Sequence, residues 1–310
     1  MRILFLGAGA LGGYYGARLI QGGAAEVAFL VRPRRQAQLE KDGLVVKSVL
    51  GDFALPVKTV SAEAPGKDWD AIFLSCKAYD LASAIDAIRP AMGPGTAILP
   101  VLNGFSHLDT LREAFGEKAV LGGLAKIAAT MTPEGHIRHM APPADLIFGE
   151  IAGGMSPRVE ALAAAWQPAP HIKTTASDNI IGEMWAKIVM LGSLAALTVM
   201  MRANIGQMIR AGGQEIVLRM FRLSAAIAAA NGHPVSDEAL AGMERNFTNP
   251  KSTSTASMFR DLQAGGAIEA DHIIGYLAEA GRKAGLDVTL LDAALVNAKS
   301  YEVQRTEAAA

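Results

Sequence analysis

The sequence predicts an α/β fold in two domains, and three observations carry that reading. Residues 1–16 run MRILFLGAGALGGYYG: an apolar stretch Ile3–Leu6, glycines at 7, 9 and 12, then helical spacing through Leu11, Tyr14, Tyr15, Ala17, Leu19 and Ile20. Short apolar runs that do not alternate with polar residues recur as far as Thr175, as in strands buried on both faces. From Asp178 onward helical patterns follow one another with almost no strand signal. Together these predict an N-terminal Rossmann-type parallel-sheet domain over residues 1–176 and an all-helical C-terminal domain over 177–310.

The opening stretch is the context a dinucleotide fingerprint requires, strand then G-x-G-x-x-G then helix. Gly7 permits the tight turn, Gly9 lets the backbone approach a pyrophosphate, and Gly12 lets the helix pack on the strand; Ala8, Ala10 and Leu11 complete the loop. The helix start then offers free N–H groups to the phosphates. Arg2 is the only cation before Arg18 and glycines interrupt the apolar run, so a signal peptide is not expected.

The next run, Glu26–Val31, ends in Arg32-Pro33-Arg34-Arg35, where such folds meet the adenine ribose. An acidic residue there would hold the 2′-hydroxyl of NAD; arginines accommodate the 2′-phosphate, so the cofactor read here is NADPH. Residues 44–49 and 52–57 suggest a hairpin around Gly51, and Asp70–Ser75 a buried strand leading to Lys77 at its carboxyl end. A helix follows over 81–88, then a strand over 96–102 that runs into Asn103-Gly104; this pair is either a plain turn or a ligand contact. Residues 119–129 read as strand, 135–139 and 145–149 as a β pair, 156–166 as a helix capped by Ser156 with Pro157 in its first turn, and 172–175 as the last strand. The helices expected beyond are 179–199, 215–231, 237–243, 257–262, 269–284 and 290–305.

Composition removes several classes. The chain has 310 residues, 51% hydrophobic and 19% charged, with a net charge of −1, which suits a large core and not a nucleic-acid partner. One cysteine, Cys76, excludes an internal disulfide and suits a reducing, cytoplasmic setting. Met184–Met201 is apolar enough to suggest a membrane span, but Lys187, Gly192 and the lack of a second such stretch favour a buried helix and no membrane partner. No metal site is expected, since the six histidines and the cysteine form no ligand spacing. The alanine- and methionine-rich helices offer either a homodimer surface or core.

Reduction of a ketone needs a group to protonate the developing alkoxide and others to orient the substrate. Lys187 in the apolar WAKIVML stretch is the first candidate: partial burial lowers an amine's pKa toward a proton donor's, unless it simply snorkels from the helix end. Ser257 and Asp261 stand one turn apart, and Glu269 opens the next helix, where a carboxylate also suits the dipole.

These pieces in order resemble the ketopantoate reductase (2-dehydropantoate 2-reductase) family: Gly7 to Gly12, Arg32, Lys77, Leu102-Asn103-Gly104, Trp185-x-Lys187, Ser257-Met258-x-x-Asp261, Glu269 and Gly275. The resemblance implies an NADPH-dependent reduction of the 2-oxo acid 2-dehydropantoate to pantoate, as in pantothenate biosynthesis. It implies Lys187 as general acid and Glu269 as its neighbour on the substrate hydroxyl. Asn103 would place nicotinamide and substrate, Ser257 would meet the substrate carboxylate, and Arg32 and Lys77 would face the cofactor. Family members commonly carry asparagines four and eight residues after the lysine; here those substrate-facing positions hold Leu191 and Ala195. That departure suggests a less polar 2-oxo acid. A non-catalytic NADPH sensor is the alternative of another class, disfavoured by the presence of both Lys187 and Glu269.

Overall fold

The computed structural model describes residues 1–308. Its elements divide into two compact units, Met1–Leu102 with His107–Ile180, and Asn103–Ser106 with Ile181–Ala310. The observed division thus falls four residues beyond the expected 176/177 boundary, and the Asn103–Ser106 turn, assigned from sequence to the first domain, clusters with the helices instead.

The first unit begins β1 (Arg2–Leu6), α1 (Ala10–Gly22), β2 (Glu26–Leu30), α2 (Pro33–Asp42), β3 (Leu44–Ser48), β4 (Phe53–Leu55), β5 (Lys58–Val60), β6 (Ala71–Leu74), α3 (Leu81–Ile88) and β7 (Ala97–Pro100). It continues with α4 (Ser106–Phe115), β8 (Leu121–Met131), β9 (Ile137–Glu150), α5 (Pro157–Trp166) and β10 (Lys173–Ala176). One sheet has the order β5-β2-β1-β6-β7, every pair parallel. The chain runs outward from β1 on one side and returns on the other, so the switch point lies between β1 and β6, where doubly wound sheets bind ligands beyond their carboxyl ends. Phe5, Phe29, Phe73, Tyr15 and Trp166, all fully buried, pack over this sheet, with Phe5 and Phe73 stacked at 4.7 Å.

A second sheet, β10-β9-β3-β4 with β8 on the other edge of β9, was not foreseen. The stretches expected to pair with each other, 135–139 and 145–149, are the two ends of the single strand β9. It pairs with β8 along its length, with β3 at its start and β10 at its end. Pro142 and Pro143 lie between them, where the register jumps from Ala128↔Ala141 to Ile127↔Ala144; prolines that cannot donate to a ladder are tolerated in such a bulge. Helix α1 packs against both sheets. Helices α2 and α4 were also unanticipated, and the expected strand 52–57 is shared between β4 and the start of the segment leading to β5.

The second unit is helical: α6 (Ile180–Met201), α7 (Ile205–Arg210), α8 (Gln214–Ala230), α9 (Asp237–Phe247), α10 (Ser257–Gln263), α11 (Tyr276–Lys283) and α12 (Thr289–Glu307). A π-helical turn, Asp271–Gly275, leads into α11 where an unbroken helix from 269 was expected. Among the described residues α6 is the one helix long and apolar enough to cross a membrane, and 67% of its most apolar window is buried inside the molecule. Its Ser193 hydroxyl bonds back to the Val189 carbonyl and across to Ser224 of α8 at 2.9 Å, so these two buried hydroxyls are paired.

Candidate active site

In the sheet unit the glycine loop leaves β1 at the switch point. The Gly7 N–H donates to Leu30 O at 2.8 Å, tying the loop to the end of β2. A Cβ on Gly12 would lie 2.7 Å from Gly7 O and 2.9 Å from Ser75 Oγ, so only glycine lets α1 start this close to β1 and β6. At Gly9 a Cβ would meet nothing within 4 Å, so protein packing does not demand glycine there. The start of α1 carries no side-chain cap and no acid in its first turn, which leaves its amide donors to an anion. These features fit a dinucleotide pyrophosphate.

The basic cluster after β2 is divided by the fold. Arg32 is exposed as the N-cap residue of α2, and Arg34 is exposed beside it. Arg35 is turned inward: its Nη2 donates to Ala8 O at 2.7 Å and its Nη1 to Gly135 O at 2.8 Å, and burial pulls its pKa down from the usual arginine range. The reading of three arginines as phosphate contacts therefore holds for at most two. Lys77 is half-buried just past the carboxyl end of β6.

In the helical unit, Lys187 Nζ donates to Asn103 Oδ1 at 3.0 Å. The turn carrying Asn103 is held from several sides. Gly104 has φ +84°, and a Cβ there would lie 2.3 Å from His272 O in the π-helical turn. Phe105 stacks on Tyr276 at 5.2 Å and packs on Trp185 at 5.0 Å. Leu191, one turn after Lys187, is half-buried, whereas Ala195 has 0% exposure and lies inside the core. Ala195 is thus corrected from a substrate-facing position to a packing one. Glu269 is 7% exposed and lies two residues before the π-helical turn; Ser257 is the first residue of α10 and half-buried.

The structure brings Asn103 together with Lys187, Gly7 to the carboxyl end of β2 and Gly12 to the carboxyl end of β6. Sequence reasoning missed the inward turn of Arg35 and the π-helical turn. Pro33 at the first helical position and Gly43 at the end were available signals that 33–42 is a helix, which would have separated Arg32 from Arg35. Among the described residues no cluster of histidine, cysteine or carboxylates could hold a metal.

Two family models match the chain. The model described as "Ketopantoate reductase PanE/ApbA" matches residues 3–153, and "Ketopantoate reductase PanE/ApbA C terminal" matches residues 179–302. Among curated proteins the chain is 29% identical over 306 residues to "Uncharacterized oxidoreductase YkpB" of Bacillus subtilis, covering 98% of this chain and 100% of that one. It is 25% identical over 328 residues to a 2-dehydropantoate 2-reductase of Mesorhizobium japonicum, with 98% and 99% covered. Among solved structures, 2-dehydropantoate 2-reductase from Methylococcus capsulatus superposes with a TM-score of 0.87 at 28% identity, covering 98% of each chain.

Proposed function

The chain belongs to the ketopantoate reductase family of NAD(P)-dependent oxidoreductases, and from that premise we propose that it reduces a 2-oxo acid to the 2-hydroxy acid with NADPH, 2-dehydropantoate being the leading substrate. The hydrogen bond from Lys187 to Asn103 carries the reading. An ammonium has three donors, so it can be oriented by a neutral amide acceptor and still direct a proton at a substrate carbonyl oxygen. When bound, the nicotinamide supplies the hydride. Lys187 gives its proton to the oxygen that becomes the hydroxyl, and Asn103 fixes the direction of that transfer. Glu269 is the buried acceptor for the new hydroxyl or for Lys187, and Ser257 holds the substrate carboxylate. Arg32 is the cation for the adenosine 2′-phosphate and supports NADPH over NADH; Lys77 serves the cofactor at the switch point. The single cysteine suits a reducing, cytoplasmic compartment.

Leu191 favours a second substrate within the same chemistry. It is half-buried one helical turn from Lys187, where an amide would have bonded a substrate hydroxyl, and its side chain suits a 2-oxo acid with an apolar chain. Initial rates of NADPH and NADH oxidation with 2-dehydropantoate and with 2-oxo acids bearing alkyl chains test both readings. Saturable turnover with NADPH is expected. NADPH binding without turnover of any 2-oxo acid would return the protein to the sensor class.

A further inference from the structure

We propose that Arg35 is a positioning residue of the cofactor loop: it binds the Ala8 carbonyl beside the first turn of α1, so that this oxygen is satisfied within the protein and the amide donors of the loop are left to meet an anion. The inference rests on the dinucleotide reading above. A carbonyl oxygen directed at a pyrophosphate repels it, so a loop built to bind one must send its carbonyls elsewhere. At Ala8 that destination is Arg35 Nη2, 2.7 Å away. The bond is charge-assisted, and the guanidinium also adds positive potential behind the loop.

Arg35 is itself fixed. Its Nη1 donates to Gly135 O at 2.8 Å and to Gln38 Oε1 at 2.8 Å, and the Gln38 side-chain amide donates to the Glu134 carbonyl. Gly135 lies in the turn between β8 and β9, and the first residue of β9, Ile137, packs against Gly13, where a Cβ would lie 2.2 Å from its Cδ1. The second sheet therefore reaches the glycine loop by two routes, through Arg35 and through Ile137. In this arrangement Arg35 shapes the loop for any dinucleotide, while the exposed Arg32 serves the 2′-phosphate alone.

Fluorescence titrations of the full chain with NADPH, NADH and 2′-AMP separate these roles. Arg35→Gln is expected to raise the Kd for NADPH and NADH by the same factor, about tenfold or more, for loss of a hydrogen bond from a charged donor. Binding of 2′-AMP, which lacks a pyrophosphate, is expected to stay unchanged, whereas general damage to the fold would weaken it too. Arg32→Gln is expected to weaken NADPH and spare NADH. Should Arg35→Gln fail to fold, Arg35→Lys keeps the charge but cannot span both carbonyls, and the same equal loss is expected. Loss of NADPH affinity alone would overturn the inference by making Arg35 a phosphate reader, and unchanged affinity for both dinucleotides would overturn it by leaving Arg35 a mere tie to the hairpin. If the wild-type chain binds neither dinucleotide, the cofactor reading itself fails.

Discussion

Lys187 lies on α6 and its Nζ donates to Asn103 Oδ1, so its surroundings are set along the helix and by the Asn103 turn. Leu191 and Ala195 stand on the same side of the helix in sequence, yet only Leu191 has access to solvent. Leu191→Asn is therefore expected to raise kcat/KM for 2-dehydropantoate by about tenfold, one net hydrogen bond, in steady-state rates. Ala195→Asn is expected to give no such gain and to cost about 1–3 kcal/mol of stability by burying an amide without a partner. Another residue outside the site sets a pH limit. His139 is 1% exposed, its Nδ1 2.9 Å from Ser48 Oγ, and burial, with Arg18 nearby, lowers its pKa. The unfolded chain takes up the proton near the usual histidine value of about 6.5, the folded chain only below it. Stability from this residue is thus complete above that pH and falls as pH drops through the interval below. Thermal melts from pH 7.5 to 5 are expected to show a shallower acid loss in His139→Gln than in the wild type.

At the level of elements, the Asn103 turn is held by the π-helical turn and by aromatic rings. Gly104→Ala would force a Cβ at φ +84° into the His272 carbonyl and is expected to cost roughly 2 kcal/mol or more, read as a lower Tm, together with loss of turnover. An unchanged Tm would show that the turn yields to the added methyl. The strand-glycine-helix start, the helix capped by Ser156 and the all-helical second half were legible in sequence because each is set by residues adjacent in the chain. What escaped depends on distant partners. The prolines at 142 and 143 made one long strand look like two, because the bulge that excuses them is defined by β8. Arg35 looked like Arg32 because nothing local reveals that Ala8 and Gly135 converge on it. The pairing of Asn103 with Lys187, 84 residues apart, was not foreseen: the family resemblance set Asn103 on nicotinamide and substrate and put Glu269 beside Lys187.

On the proposed reading, the two units carry different residues of the site. The sheet unit carries the glycine loop, Arg32 and Lys77; the helical unit carries Asn103, Lys187, Ser257 and Glu269. The near-balance of 29 basic and 30 acidic residues leaves little long-range field to gather an anionic cofactor or substrate. Recognition then falls to local donors, which is why single side chains are expected to have large effects. The most direct test of the account is the kcat of Lys187→Ala beside the wild type, with any 2-oxo acid that the wild type turns over, alongside the Kd for NADPH. The expected result is a fall in kcat of about 100-fold or more, as for loss of a general acid, with NADPH affinity unchanged. A variant that turns over at the wild-type rate would contradict the account, because the proton would then have to come from somewhere other than Lys187.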